Sequence, residues 1–154
     1  MNSDMKFRDF ADAGQQLAPL VAELIARLVC DQPTAELVLI AIAPGGVPVA
    51  TAVVATGLLP EIPLHVFVRE AGAELPCDVG GRTVIAIDDG VETGTAARAV
   101  GALLRDAGAV RTVLAVPVCP REIEAKMRLA FDDVIAIDWP MERRPLHEHY
   151  ETFQ

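Results

Sequence analysis

Short runs of residues that are apolar on both faces constrain this chain more than any other feature of it. Leu37-Val38-Leu39-Ile40-Ala41-Ile42-Ala43 has no polar alternation, and a strand of that kind is covered on both sides, as in a parallel sheet between helical layers. Similar runs follow at 64–68, 83–87, 112–118 and 134–137. Ahead of the first, Phe10, Leu17, Val21, Leu24 and Leu28 recur at steps of seven, four, three and four, which is one stripe of a helix over 9–29. Helices are also expected over 47–56, with Pro48 in the first turn and Gly57 as a stop, and over 95–107, with Gly108 after it. A further one is expected over 121–130, after Pro120, with Glu122 and Glu124 in a first turn where the macrodipole favours carboxylates. The pattern predicts an α/β fold, a three-layer doubly wound sheet that is mostly parallel. One gap is different. Only twelve residues, 70–81, separate Arg69 from Arg82, which is short for a helical crossover. Either a short antiparallel segment such as 73–77 sits there, or the loop lies over the ligand-binding end of the sheet. No linker, repeat or low-complexity tract divides the 154 residues, so 1–154 reads as a single domain.

Charge narrows the function. Thirteen Lys and Arg against 22 Asp and Glu give a formal net charge of −9, a field that repels duplex nucleic acid and anionic membranes. Neither is expected as a partner, and any phosphate must be held locally by amides, hydroxyls or a bridging cation. The apolar runs fall far below the ~18–20 residues of a membrane span, and Met1-Asn2-Ser3-Asp4 opens no signal-peptide pattern, so a soluble, cytoplasmic protein is expected. Cys30, Cys77 and Cys119 are odd in number and lack C-x-x-C spacing; they read as buried thiols. Cys119, beside Pro120 and near a helix N-terminus, has a reactive thiol as its alternative reading.

In an open α/β sheet, ligands bind beyond the carboxyl ends of the strands at the point where strand order reverses. After the first strand comes Ala43-Pro44-Gly45-Gly46, a glycine pair where backbone can approach a ligand closely. After the third comes Asp88-Asp89-Gly90-Val91-Glu92-Thr93-Gly94-Thr95-Ala96. Asp88 and Asp89 end an apolar run and present two carboxylates to hydroxyls or to a hydrated Mg²⁺. Thr93-Gly94-Thr95 adds hydroxyls, amides and a flexible glycine at a helix N-terminus, a cradle for phosphate that needs no Lys or Arg. The competing reading makes Asp88 and Asp89 a solvated turn and Thr95 a helix cap.

The run from Val84 to Ala96 resembles the phosphoribosyl pyrophosphate signature of type I phosphoribosyltransferases, with four apolar residues, two acids and a T-G-T loop. Phe7-Arg8-Asp9 with Ala13-Gly14, the block from Ala43 to Ala50, and Val113 to Val118 resemble other blocks of the predicted phosphoribosyltransferase branch, so the similarity covers nearly the whole chain. The resemblance implies a mixed sheet flanked by helices, and transfer of ribose 5-phosphate between phosphoribosyl pyrophosphate and a nucleobase-like acceptor, with Mg²⁺. It implies ribose hydroxyls and metal at Asp88 and Asp89, and the 5′-phosphate wrapped by the loop from Gly90 and Val91 through Thr93, Gly94, Thr95 and Ala96. Pyrophosphate falls at Pro44, Gly45 and Gly46, and a homodimer is common in such proteins. Glu92 falls where purine-salvage members carry an Asp proposed as general base; an exposed loop carboxylate is its other reading.

Three positions depart from the family pattern, the least weighty being Ala96, where many members have threonine and orotate-type enzymes also have alanine. Pro44 stands where the branch usually has arginine, and Glu70 follows Arg69 where the branch usually has lysine, which sets a carboxylate beside a multiply charged anion. Arg69 offsets this in part. The alternative function is therefore a phosphoribosyl-binding regulatory or interaction module of the same fold, weak or inactive in transfer. Loop 70–81 is also shorter than the segment that closes over the reacting centre in such enzymes, and closure is what excludes water. Trp139, Tyr150 and Phe153 can stack on a base or pack onto the domain. His147 and His149 flank Glu148 in a charged stretch that reads as a solvated tail rather than a metal site. There is no G-x-G-x-x-G after the first strand and no G-x-x-x-x-G-K-[ST], so dinucleotide and P-loop folds lack their phosphate grips.

Overall fold

Alternate residues of each strand feed two separate cores, one on each face of a five-stranded sheet. The structure is a computed structural model and describes residues 6–31, 36–69 and 74–153. Its elements are α1 (Phe10–Asp31), β1 (Leu37–Ile42), α2 (Gly46–Ala55), β2 (Leu64–Phe67), β3 (Thr83–Ile87), α3 (Thr95–Asp106), β4 (Arg111–Val118), α4 (Glu124–Ala130) and β5 (Asp133–Asp138). Leu39, Ala41, Ile85, Ile87, Val113 and Ala115 point to one side and pack with Leu17 and Val21 of α1 and Val49 and Val53 of α2. Val38, Ile40, Val84, Ala86, Leu114 and Val116 point to the other, against Val100 and Leu104 of α3 and Met127 of α4. Each fully buried Leu, Ile or Val of this kind contributes roughly 1.5–3 kcal/mol. The expected three-layer α/β architecture is the observed one.

Strand order is β2-β1-β3-β4-β5, and all four pairings are parallel. The mixed sheet implied by resemblance is thus not what the described residues form. Order reverses between β1 and β3, since the chain leaves β1 outward to β2 and returns to pair β3 on its other side. Pro117, inside β4, costs no ladder bond. Ala115 directs its carbonyl to the β3 side, where it accepts from Asp88 N–H at 3.3 Å; Pro117 faces the same way, past the point where β3 has ended.

Several boundaries move. Expected helix 121–130 begins with a 3-10 turn at Arg121–Ile123 before α4 proper. Between β2 and β3, residues 74–77 form no strand, and residues 70–73, with Glu70 and Ala73, lie outside the described residues. Instead of covering the ligand-binding end, the described part of this loop runs along the sheet face, where Val79 is buried and Leu75 and Cys77 pack on the α3–α4 core. Among the cysteines only Cys119 is buried; Cys77 is half-buried and Cys30 is exposed, because it falls off the buried stripe that ends at Leu28.

The C-terminal segment is solvated only in part: His147 and Glu148 are exposed, as expected, whereas His149 and Tyr150 are buried. After β5 it turns through a 3-10 helix, Leu146–His149, and joins the N-terminal segment: Phe7 N–H donates to the His149 carbonyl at 2.8 Å, Glu151 N–H to Phe7 at 2.7 Å and Thr152 N–H to Arg8 at 2.9 Å. Phe7, Phe10, Tyr150 and Phe153 form an aromatic cluster with ring centroids 5.0–5.6 Å apart. His149 is fully buried.

Leu114, fully buried between β3 and β5, gives a direct test of this packing. Leu114→Ala is expected to lower stability by about 2–5 kcal/mol in urea denaturation, through lost transfer energy and the cavity left behind.

Candidate active site

The site grows from the place where strand order reverses. The turn after β1 and the end of β3 meet so closely that side chains are excluded from one of them. A Cβ on Gly45 would collide with the Asp89 carboxylate, including its Cγ at 2.5 Å, and one on Gly46 would collide with the Ile87 carbonyl and meet Asp88 Cα at 3.1 Å. The glycine pair thus admits the protein's own acidic strand end, rather than only a ligand, to the turn.

Asp88 continues the β3 ladder through its N–H, and its Oδ1 accepts from Asp89 N–H at 2.8 Å. Both carboxyls are held above the ordinary carboxylate range. Burial is the main cause for Asp88, followed by the charge of Asp89, while Arg69 opposes the shift. Burial likewise raises Asp89, and the Glu92 charge adds to it.

The loop after the acidic pair leads into α3. Thr93 Oγ1 lies 3.2 Å from Thr95 Oγ1 and accepts from Thr95 N–H at 3.3 Å, which gathers two hydroxyls at the start of the helix. Gly94 caps α3 at φ 84°, in the left-handed region. A Cβ there would also meet Met127 Cε at 2.5 Å and Ile123 Cγ2 at 3.2 Å, so α4 backs the turn directly. The first amides of α3 have no intrahelical acceptor, and with the helix dipole they favour an anion at this end.

These parts face one cleft of about 430 Å³, within the usual range for a small-molecule site. Pro44, Gly45, Arg69, Asp88, Asp89, Gly90, Val91, Glu92, Thr93, Gly94, Thr95 and Ala96 all line it, whereas Gly46 stands behind, against β3. Its charged lining among the described residues is three carboxylates, Asp88, Asp89 and Glu92, against one guanidinium, Arg69.

Two lining residues, Leu146 and Phe153, come from the C-terminal segment, and sequence reasoning did not anticipate Leu146. Leu146 N–H donates to Glu92 Oε1 at 2.5 Å, and Tyr150 OH donates to the Asp89 carbonyl at 2.6 Å. Burial, and then the Asp89 and Asp88 charges, push the Tyr150 phenol up, so it remains a donor. Of the three aromatics noted in the sequence, Tyr150 is packed into the domain and Phe153 reaches the cleft rim. Trp139 packs on the other core, with the Arg128 guanidinium 5.8 Å from its ring.

The remaining candidates resolve differently. Cys119 is buried, and burial pushes its thiol up to about 12, which removes the reactive reading. His149 is buried rather than solvated, and burial followed by the Arg144 charge lowers its pKa against Asp138, Glu148 and Glu92, which disfavours the charged ring. Among the described residues no group of three His, Cys, Asp or Glu is placed to hold a metal ion.

No protein-family model matches the chain. It is 34% identical over 73 residues to a Mycobacterium tuberculosis protein named provisionally as a phosphoribosyl transferase; that match covers 47% of this chain and 16% of the mycobacterial protein. The matched stretch thus spans about a sixth of that relative's length. Among solved structures, it superposes on TT1426 of Thermus thermophilus with TM-score 0.73 and 22% identity, over 97% of this chain and 92% of that one. It also superposes on a purine phosphoribosyltransferase of Pyrococcus horikoshii with TM-score 0.54 and 21% identity, over 86% and 91% of the two chains. A hypoxanthine phosphoribosyltransferase of Staphylococcus aureus gives 0.57 and 17%, over 73% and 66%. The chain thus shares the fold of these solved phosphoribosyltransferase structures. No helix among the described residues is long and apolar enough to cross a membrane.

The acidic pair predicts a pH signature. A carboxyl whose pKa is raised on folding contributes most stability below its unfolded pKa, and that contribution is lost as pH rises through the folded value. In metal-free protein, Asp88→Asn keeps an Oδ1 for the Asp89 N–H and removes the unfavourable charge. It is expected to raise stability at pH 7 by about 0.5–2 kcal/mol, with a difference that shrinks toward pH 4 in thermal unfolding followed across pH.

Proposed function

We propose that the chain is a phosphoribosyltransferase, moving the ribose 5-phosphate group between phosphoribosyl pyrophosphate and a nucleobase-like acceptor. The observation that carries this reading is one cleft with two poles: paired carboxylates at the end of β3, suited to sugar hydroxyls, and a hydroxyl- and amide-rich turn at the start of α3, suited to a phosphate. Asp88 and Asp89 accept from the ribose hydroxyls. Thr93, Gly94, Thr95 and Ala96 surround the 5′-phosphate, and Pro44, Gly45 and Arg69 face the pyrophosphate.

In the transfer, the C1′–O bond to pyrophosphate breaks, an acceptor nitrogen forms the new bond to C1′, and its proton is lost. In this reading Glu92 takes that proton, a role supported by the Leu146 N–H that orients one of its oxygens. Beyond that step the protein aligns, and alignment supplies much of the rate.

The donor set fits Mg²⁺ in a particular way. Asp88 and Asp89 are two crowded carboxylates that a cation would relieve, and two are too few for a cage of protein ligands. This suits a metal shared with phosphate oxygens of the substrate. When bound there, Mg²⁺ would neutralise charge on the leaving pyrophosphate. Exposed Val66 and Val68 on and beside edge strand β2 are compatible with a homodimer.

The lone guanidinium in the cleft lining favours a second reading, a phosphoribosyl-binding module with weak or no transfer. Calorimetric titration with phosphoribosyl pyrophosphate and with ribose 5-phosphate, with and without Mg²⁺, separates the two. A transferase is expected to prefer the pyrophosphate at least about tenfold in Mg²⁺, a difference of ~1.4 kcal/mol; equal affinities would favour the module, and binding of neither would remove both. If the module reading holds, Pro44→Arg with Glu70→Lys should create turnover that the native chain lacks.

The double variant Asp88→Asn/Asp89→Asn is expected to lose Mg²⁺-dependent binding with the fold intact by circular dichroism. Unchanged affinity in that variant would place the ligand elsewhere.

A further inference from the structure

The helical layer behind the phosphate-facing turn holds a second concavity. Arg98, Ala102 and Arg105, at steps of four and three along α3, face Lys126, Leu129 and Ala130 of α4 across a groove of about 270 Å³. The helices close to contact beneath it because Gly101 has no side chain: a Cβ there would meet the Ala130 carbonyl oxygen at 2.7 Å. Among the described residues three cations and no carboxylate line this groove, on a chain whose net charge is −9. A solvated face of so acidic a protein is expected to mix signs. The groove is also partly preorganised. Arg105 Nη2 donates to the Leu129 carbonyl at 2.9 Å, which holds that guanidinium across the opening, and the Leu129 side chain stands 79% exposed at the rim.

We propose that this groove is a binding site for a diphosphate-bearing small molecule, separate from the cleft and coupled to it. Guanidinium groups match phosphate oxygens in pairs, and an ammonium adds a point charge. The volume, just below the usual ~300–1,000 Å³ of small-molecule sites, suits a compact anion rather than a macromolecular segment. Coupling follows from two contacts. Arg98 N–H donates to the Gly94 carbonyl at 2.9 Å, and Met127, next to Lys126, packs where a Gly94 side chain would be. An anion that draws Arg98 and Lys126 together therefore acts on both helices that hold the phosphate-facing turn, and its occupancy changes affinity in the cleft.

The test is an amide-resolved NMR titration of the full chain with inorganic pyrophosphate and, separately, with ADP, each against sodium chloride at matched ionic strength. Signals from Ala102, Arg105, Lys126 and Leu129 report the groove, and those from Thr93, Gly94 and Thr95 report the cleft. Groove signals are expected to saturate, and Arg98→Glu/Lys126→Glu to weaken that binding at least about tenfold with an unchanged thermal midpoint. Leu129→Ala distinguishes the two sources of diphosphate: weaker ADP binding with unaltered pyrophosphate binding assigns the organic part to the apolar rim. Groove signals that move no more than with sodium chloride, or equally in the charge-reversed variant, overturn the proposal. Cleft signals that still saturate in the Arg98→Glu/Lys126→Glu variant report binding at the cleft itself, so failure at one site is distinguishable from failure at the other.

Discussion

The contact between the Gly45–Gly46 turn and the end of β3 governs the rest of this molecule. Because neither glycine has a side chain, the Asp89 carboxylate and the Ile87 carbonyl press against the β1–α2 turn, and the two strand ends at the switch point share one cleft. That closeness also withdraws Asp88 and Asp89 from water, which disfavours their charged forms. A stable core would not put two carboxylates there. The arrangement belongs with sites whose electrostatic strain is tolerated because the surrounding structure over-determines them.

What over-determines this one comes from far along the chain. The loop from Asp89 to Glu92 is held to the end of β4 by Val91 N–H, which donates to the Val118 carbonyl, and its other anchors are Tyr150, 61 residues beyond Asp89, and Leu146, 54 residues beyond Glu92. The C-terminal segment is itself fixed by Phe7 and Arg8 through backbone hydrogen bonds and by the aromatic cluster on α1. Both ends of the described chain thus meet beside the cleft, and the geometry of Glu92 depends on the packing of Phe7 and Phe10, which do not line it.

The layers were legible in the sequence because strands buried on both faces leave no polar alternation, and α1 because its stripe meets a single core. The acidic pair and the T-G-T turn were legible too, since strand end, loop and helix start are contiguous. Contacts between distant segments were not. His147, Glu148 and His149 have the composition of a solvated tail, yet His149 is buried by an N-terminal segment that no local pattern connects to it. The glycine pair was visible, but the Asp89 carboxylate that fills the space before Gly45 was not. One signal was available and carried more than it was given: Leu75, Cys77 and Val79 alternate at period two, the spacing of a segment with one face on a core, which is what they do in place of a crossover helix.

The charge of the cleft restricts how the proposed reaction proceeds. In that proposal sugar hydroxyls suit the carboxylate pole and a 5′-phosphate suits the start of α3, and neither group needs a further cation. Pyrophosphate has Arg69 as its guanidinium partner in the described lining, with Asp88, Asp89 and Glu92 in the same cleft. At an effective dielectric near 20, each unit-charge repulsion over ~4–6 Å costs about 3–4 kcal/mol before screening. A free pyrophosphate group is therefore a poor ligand here, and its complex with a divalent cation a good one. In the proposed reaction the cation would therefore enter with the substrate, held between its phosphate oxygens and the Asp88 and Asp89 carboxylates.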